Sequence, residues 1–283
     1  MPPAFRASRD SGVDSDMTSR VPDEPPAVPV GTARQSLARA ADIGRNARAR
    51  GREVVAELRR GACGSASRTL GRLSVETAAM ALHAVGCLID ASSRLSTVRA
   101  LYPEERAVLE RVFGTSPALD AIRLHRGGIA HRLGMRAHAV GDDLRFPEAA
   151  FTARGRVRDA GLLVHEATHA WQFRHGGAGY LSAALLSYAR PGDPYDWRAA
   201  LGRELPFAAM TPDQQAELAR LVAIALLVAP DAEPTRDSLA QAIPFMGGDG
   251  CEIDATMLRR IAAVRRCLLD GDAAHAPREP DST

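Results

Sequence analysis

The sequence predicts an α+β fold: a small sheet with a hairpin, then one largely apolar helix, then a mostly helical C-terminal part. Three observations carry that reading. After Gly114 the apolar period changes from three-to-four to two. Helical spacing returns in Gly161-Leu-Leu-Val-His-Glu-Ala-Thr-His-Ala-Trp-Gln172. Beyond Thr211 the periodic segments are helical again and carry recognisable start and stop signals.

The elements follow in order. Residues 1–31 hold six prolines and few large apolar side chains, too few to repay chain entropy, so disorder is expected there. From Thr32 to Leu73 ten arginines face only Asp42, Glu53 and Glu57. No aromatic residue lies between Phe5 and Tyr102 to stack on a single strand, so a solvated basic tether is expected and no specific nucleic acid. Residues 1–73 thus read as a lead-in. Order is expected from Ser74, where Val75, Ala78, Ala79, Leu82, Val85 and Ile89 recur at helical spacing. A second helix starts at Pro103, with Glu104 and Glu105 in its first turn and Gly114 as its stop. Ala121 to His125 alternates like a strand, and Arg136–Val140 and Leu144–Phe146 flank Gly141-Asp142-Asp143 as a hairpin. The next helix runs from about Arg158 to Arg174 and ends at Gly176-Gly177.

Gly177 to Pro206 is rich in tyrosine, glycine and proline, with a short helical stretch around Leu181–Tyr188. Thr211 is a natural N-cap, Pro212 suits the first helical position and Gln214 completes a capping box, so a helix should run to about Val228. A last helix, Asp254 to Leu269, carries Ile261, Val264 and Leu268 on one face and has Gly271 beyond its end. The folded domain is therefore expected over 74–271, with a polar, frayed tail at 272–283. Small sheet first, histidine-bearing helix second and helical subdomain third is an order that suits a zincin-like fold.

Composition sets outer bounds. With 283 residues, 46% hydrophobic, a substantial core is available, and a net charge of +2 steers no particular partner. All 36 basic residues are arginine. Cys63, Cys87, Cys251 and Cys267 lie far apart without a CxxC pair, so reduced thiols are expected rather than a disulfide framework. The first 30 residues lack an apolar leader. The longest apolar stretch, Ala78 to Ile89, is interrupted by His83 and Gly86 and falls short of the roughly 20 residues a membrane span needs. A cytoplasmic protein is expected, exported if at all by a leaderless secretion route.

The chemistry sits in His165-Glu166-Ala167-Thr168-His169. Two histidines four apart on a helix point the same way, so their imidazoles can share one tetrahedral zinc, with Glu166 placed to take a proton from the water there. The flanks Leu162, Leu163, Val164, Ala167, Ala170 and Trp171 predict a mostly buried helix. Inside one, two histidines and a carboxylate cost several kcal/mol if unpaired, and a metal satisfies all three. A catalytic zinc wants a third protein ligand. His175 has the spacing used by metzincins, but Gln172 stands where that pattern needs a glycine. In an unbroken helix His175 is rotated roughly 240° from His169 and points away. Asp213 and Glu217 are one turn apart on the helix after Thr211 and either could reach the metal, the other supporting it. Glu204 lies in a loop-like context.

An ordered series of segments carries a family resemblance: Phe113-Gly-Thr-Ser116, Leu119-Asp-Ala-Ile-Arg123, Ala137-His-Ala-Val-Gly141, Leu144-Arg-Phe146, Leu162–Gln172, Tyr195-Asp-Trp197, Pro206-Phe207 and Asp213-Gln-Gln-Ala216. The series, spanning roughly Leu101 to Val228, resembles the zinc metallopeptidase family called the extracellular contractile injection system core domain, and its Vgr-related relatives. In such relatives a glutamate usually precedes Gln-Gln-Ala as a third metal ligand. The resemblance thus implies that role for Asp213, here one methylene shorter. It also implies a secretion-apparatus component as partner.

Two functions are expected from these readings. The first is a zinc peptidase acting on a peptide or protein substrate: His165, His169 and Asp213 or Glu217 hold zinc, and Glu166 is the general base. The strand ending at Phe146 would receive an extended peptide. Tyr180, Tyr188 and Tyr195 lie between the ligand segments, and Tyr195 is the oxyanion candidate. The alternative is a catalytically inert adaptor or cargo module of an injection system. Glu166 discriminates, since an inert descendant has little reason to keep a base between its histidines.

Overall fold

In a computed structural model, residues 48–49, 51–93, 95–177, 179–189, 191–229, 233–246 and 253–270 are described. The disorder expected at 1–31 and the frayed tail expected at 272–283 lie outside them. Helix α1 (Cys63–Ser93) is 31 residues long and starts well before Ser74. Residues 51–59 are helical too, so part of the expected basic tether is regular structure. Apart from Ala79, which packs on Met80, Tyr180 and Leu181, the apolar stripe that predicted this helix does not enter the core. Leu82 is 74% exposed, and Val85 and Ile89 are exposed as well. The buried face is instead Ala66, Thr69, Glu76, Met80 and Asp90.

The C-terminal part of that face is polar because the surface beneath it is polar. The sheet has the order β1-β2-β4-β3, from β1 (Ser96–Arg99), β2 (Arg123–Gly127), β3 (His138–Val140) and β4 (Asp143–Phe146). β2 runs parallel to β4, with Leu124 opposite Leu144, and β3 closes on β4 as an antiparallel hairpin. Side chains alternate between faces. Leu124, Leu144 and Phe146 enter the main core. His125, Asp143 and Arg145 are buried as well, and they meet α1. Arg145 Nη1 is 2.6 Å from Asp90 Oδ2, and Asp143 lies 3.5 Å from His83 Nε2 and 3.1 Å from His125 Nε2. Asp90 also accepts from the Ile129 N–H at 2.7 Å. A Cβ on Gly128, whose φ is 113°, would come within 2.7 Å of the Asp90 carboxylate, which is why a glycine stands there.

β2 starts two residues later than the alternating pattern because Pro117–Ala121 forms a 3-10 turn, capped by the Ser116 side chain. Strand β1 carries too short a pattern to be read from sequence. Among the described residues the helices are α2 (Pro103–Phe113), a single turn at Ile129–Arg132, α3 (Ala160–Gly176), α4 (Gly179–Tyr188), α5 (Trp197–Gly202), α6 (Pro212–Val228), α7 (Arg236–Ala242) and α8 (Ala255–Asp270). α5 lies inside the stretch expected to be loop. α6 begins as predicted, with Thr211 and Gln214 forming the capping box. α3 is buried between the sheet and α6. Gly161 permits that approach: a Cβ there would meet Arg220 and Ile224 of α6 at 3.1 Å. None of the described helices is long and apolar enough to cross a membrane.

Candidate metal centre

α3 is started by Asp159, whose side chain accepts from the Leu162 N–H at 3.0 Å. It continues unbroken to Gly176, so His165 and His169 stand one turn apart with ring centroids separated by 5.0 Å. Packing of α6 against this face delivers Asp213. Its Oδ1 lies 3.9 Å from His165 Nε2 and 3.6 Å from His169 Nε2. One ligand atom from each of the three residues falls within 4.8 Å of the others.

The remaining nitrogens differ: His169 Nδ1 is hydrogen-bonded, whereas His165 Nδ1 lies beside a carboxylate without hydrogen-bond alignment. His165 Nδ1 is 2.9 Å from Glu217 Oε1. Arg220 backs that carboxylate, its Nη1 3.5 Å from Glu217 and its Nη2 3.3 Å from the capping Asp159. Burial pushes the Glu217 carboxyl up, but His165 and Arg220 outweigh it and hold the group below the usual range. On the other side His169 Nδ1 meets Gln172 Oε1 at 2.7 Å. The Gln172 amide nitrogen donates to Pro212 O and Gln215 Oε1, both at 2.9 Å, and Gln215 donates to Phe207 O at 2.6 Å. With its nitrogen committed twice, Gln172 turns its oxygen to His169, so Nδ1 is the donor in that contact. Asp213 and Glu217, interchangeable in the sequence, thus occupy different places: Asp213 at the shared Nε2 locus, Glu217 behind His165.

Glu166 lies between the histidines, 3% exposed. Burial pushes its carboxyl up, His165 and His169 pull it down, and Asp213 and Glu217 raise it again, so it ends above the usual range. Burial opposes charge on His169, yet Asp213, Glu166 and Gln172 together raise that imidazole to about 9. Two carboxylate oxygens, Glu166 Oε2 and Asp213 Oδ2, are buried with no hydrogen-bond partner among the described residues. Such orphans cost free energy without a cation or water. Two imidazole nitrogens and one carboxylate oxygen, with room for a water, form a donor set that fits zinc.

Three tyrosines surround the cluster in different roles. Tyr180 stacks on His169 and donates to Ala139 O at 2.6 Å, so its hydroxyl is tied to β3. Tyr195 stacks on His165 at 6.1 Å, and its hydroxyl is 2.5 Å from that of Tyr188 at the cleft mouth. The Tyr195 loop is pinned by the cap of α6: Thr211 Oγ1 donates to Pro194 O at 2.7 Å and Gln214 Nε2 to Asp196 O at 3.1 Å. His175 packs on Trp171, 4.6 Å between ring centroids, and does not join the cluster. Glu204 sits on an exposed loop at φ 58°, 3.9 Å from Arg260.

The strand ending at Phe146 does not have a free edge. β4 lies between β2 and β3 and all four of its residues are buried. The edge strands are β1 and β3, and on β3 Tyr180 already occupies the Ala139 carbonyl. Sequence reasoning also missed Gln172, Gln215 and Arg220. The first two were visible as the Trp-Gln and Gln-Gln-Ala segments, without a signal of what they touch.

Comparison with known proteins gives one match. Residues 100–177 match the family model described as the eCIS core domain. The matched segment contains β2, the β3–β4 hairpin and the whole of α3, and stops before Asp213. It associates the chain with contractile injection systems. No curated protein and no solved structure matches the chain.

Proposed function

We propose that this protein is a zinc-dependent peptidase associated with a contractile injection system. One observation carries the reading: two Nε2 atoms and a carboxylate oxygen converge beside the buried Glu166, with Glu217 2.9 Å from one Nδ1 and Gln172 hydrogen-bonded to the other. His165, His169 and Asp213 would hold the ion. Zinc bound by such a set supplies a Lewis acid and makes a water acidic near neutral pH.

The chain's own residues do the rest. Glu166 accepts a proton from water on its carboxylate and hands it to the leaving amine, a task suited to a carboxyl whose affinity for protons burial has raised. Glu217 and Gln172 fix the orientation of the two rings. The Tyr188–Tyr195 hydroxyl pair faces the cleft and donates to the oxyanion as it develops. α1 and α4 wall the cleft and limit its water.

The test is metal content together with hydrolysis. The purified chain should carry about one zinc, and His165→Ala or His169→Ala should lose it. Zinc-loaded protein should cleave an unfolded protein substrate, and Glu166→Gln should retain the metal and lose cleavage. A protein that holds no zinc after equilibration with it sinks the reading. One that holds zinc but cleaves nothing in a broad peptide mixture is the inert module instead.

A further inference from the structure

The cluster opens into a cavity of about 1040 Å³. That is at the upper end of the roughly 300–1,000 Å³ that small-ligand pockets occupy, so one side chain does not fill it. Its walls are apolar on three sides: Val75 and Leu82 from α1, Leu181 and Leu185 from α4, Ile129 and Met135 from the connection between β2 and β3. Leu82, Met135 and Leu185 are 74%, 52% and 49% exposed. Large apolar side chains that face solvent while lining a cleft mark a binding surface.

The polar groups have a separate distribution. His165, Glu166, His169 and Asp213 form the floor. Of the other charged residues lining the cleft, Asp90 is paired with Arg145, and Arg220 with Glu217 and Asp159. Arg136, an exposed cation near Tyr195, is the remaining charged residue of the lining, so the walls offer no free acid to a cationic side chain. Seating a positive charge there costs its hydration without return.

From this partition we infer that the site selects peptides with a large apolar residue, such as leucine, methionine or phenylalanine, beside the scissile bond. That side chain lies between Leu82 and Leu185 while the peptide group reaches the floor. The inference rests on the peptidase reading for the reaction, but the apolar recognition is a property of the walls.

Two readouts test it on the full zinc-loaded chain. Peptides differing only in leucine, alanine or lysine at one position are offered for cleavage. Separately, dye-labelled versions are titrated into Glu166→Gln protein and followed by fluorescence anisotropy. Leucine should be preferred over alanine by about tenfold or more in both, and lysine should be poorest, since apolar pockets discriminate by roughly 10- to 200-fold per small apolar group. Leu82→Asp and Leu185→Asp change exposed positions and should erase the leucine preference at unchanged zinc content. Cleavage or binding without apolar preference, or a preference that survives both substitutions, overturns the inference. Binding with the expected preference but no cleavage by the unmodified chain upholds the cleft and rejects the peptidase.

Discussion

Oε1 of Gln172 accepts the Nδ1 proton of His169 at 2.7 Å, from three residues further along the same helix. Gln172 is fully buried, and its amide nitrogen is spent on Pro212 O and Gln215 Oε1. The glutamine thereby couples the rotamer of one candidate ligand on α3 to the N-terminal turn of α6, which carries another. A substitution that shortens it should loosen the site without touching an ion. Gln172→Ala is expected to weaken zinc binding by about 10- to 100-fold, the usual effect of losing a partner behind a ligating histidine. Competition with a chelator measures it, and unchanged affinity would show that His169 is held by packing alone.

Asp213 and Glu217 should separate by degree. Asp213→Ala removes an oxygen from the shared locus and is expected to cost more than 100-fold in zinc affinity, beyond the range of a supporting partner. Glu217→Ala leaves His165 Nε2 in place and should cost about 10- to 100-fold. His175→Ala, changed on the far side against Trp171, should cost nothing. Reversal of the first two in a metal titration would put Glu217 at the ion.

Glu166→Gln should make the metal-free chain more stable at pH 7–8, by about 0.5–2 kcal/mol as for other relieved buried sites. The sign follows from linkage. The folded carboxyl sits above its unfolded value, so its favourable contribution holds below the unfolded value and is lost as pH rises through the folded one. The amide has no such loss, and the advantage should vanish near pH 4, where both forms are neutral. Urea unfolding of the two chains at both pH values decides it; a variant less stable at pH 8 would contradict it.

His138 predicts a weakness towards acid. Burial, with His131 and Arg145 nearby, lowers its imidazole to about 4, against the partial support of the Arg136 carbonyl and Asp90. A histidine held neutral in the fold contributes stability above its unfolded value of about 6.5, and that contribution is lost as pH falls towards 4. His138→Gln should therefore lose less melting temperature than the unmodified chain between pH 7 and pH 4.5. Equal losses in thermal scans would show that His138 is as easily charged in the fold as outside it.

Much of the scaffold was legible in the sequence because its signals are local. The His-Glu-x-x-His spacing places two imidazoles on one face of any helix. Thr211, Pro212 and Gln214 announce the start of α6, and Gly141 the turn of the hairpin. The apolar stripe of α1 was legible too, but its destination was not. Periodicity gives the phase of a helix and says nothing of what it faces, and here the phase that reads as core lines a cleft or meets water. The sheet beneath α1 presents Arg145, Asp143 and His125, so the helix docks with Asp90 and His83.

The sequence by itself determined the pair of histidines, the acid between them and the helix that would bring a further carboxylate. Only the tertiary structure decided which carboxylate meets both Nε2 atoms, which one stands behind His165, and that Gln172 and Gln215 join α3 to α6. The physical reason is one of range. Neighbours on a helix are set by 3.6 residues per turn, whereas Gln172 and Gln215 are 43 residues apart in sequence. They meet because α3 and α6 pack side by side, and the rotation of α6 in that packing sends Asp213 to the shared locus and Glu217, one turn on, to the back of His165.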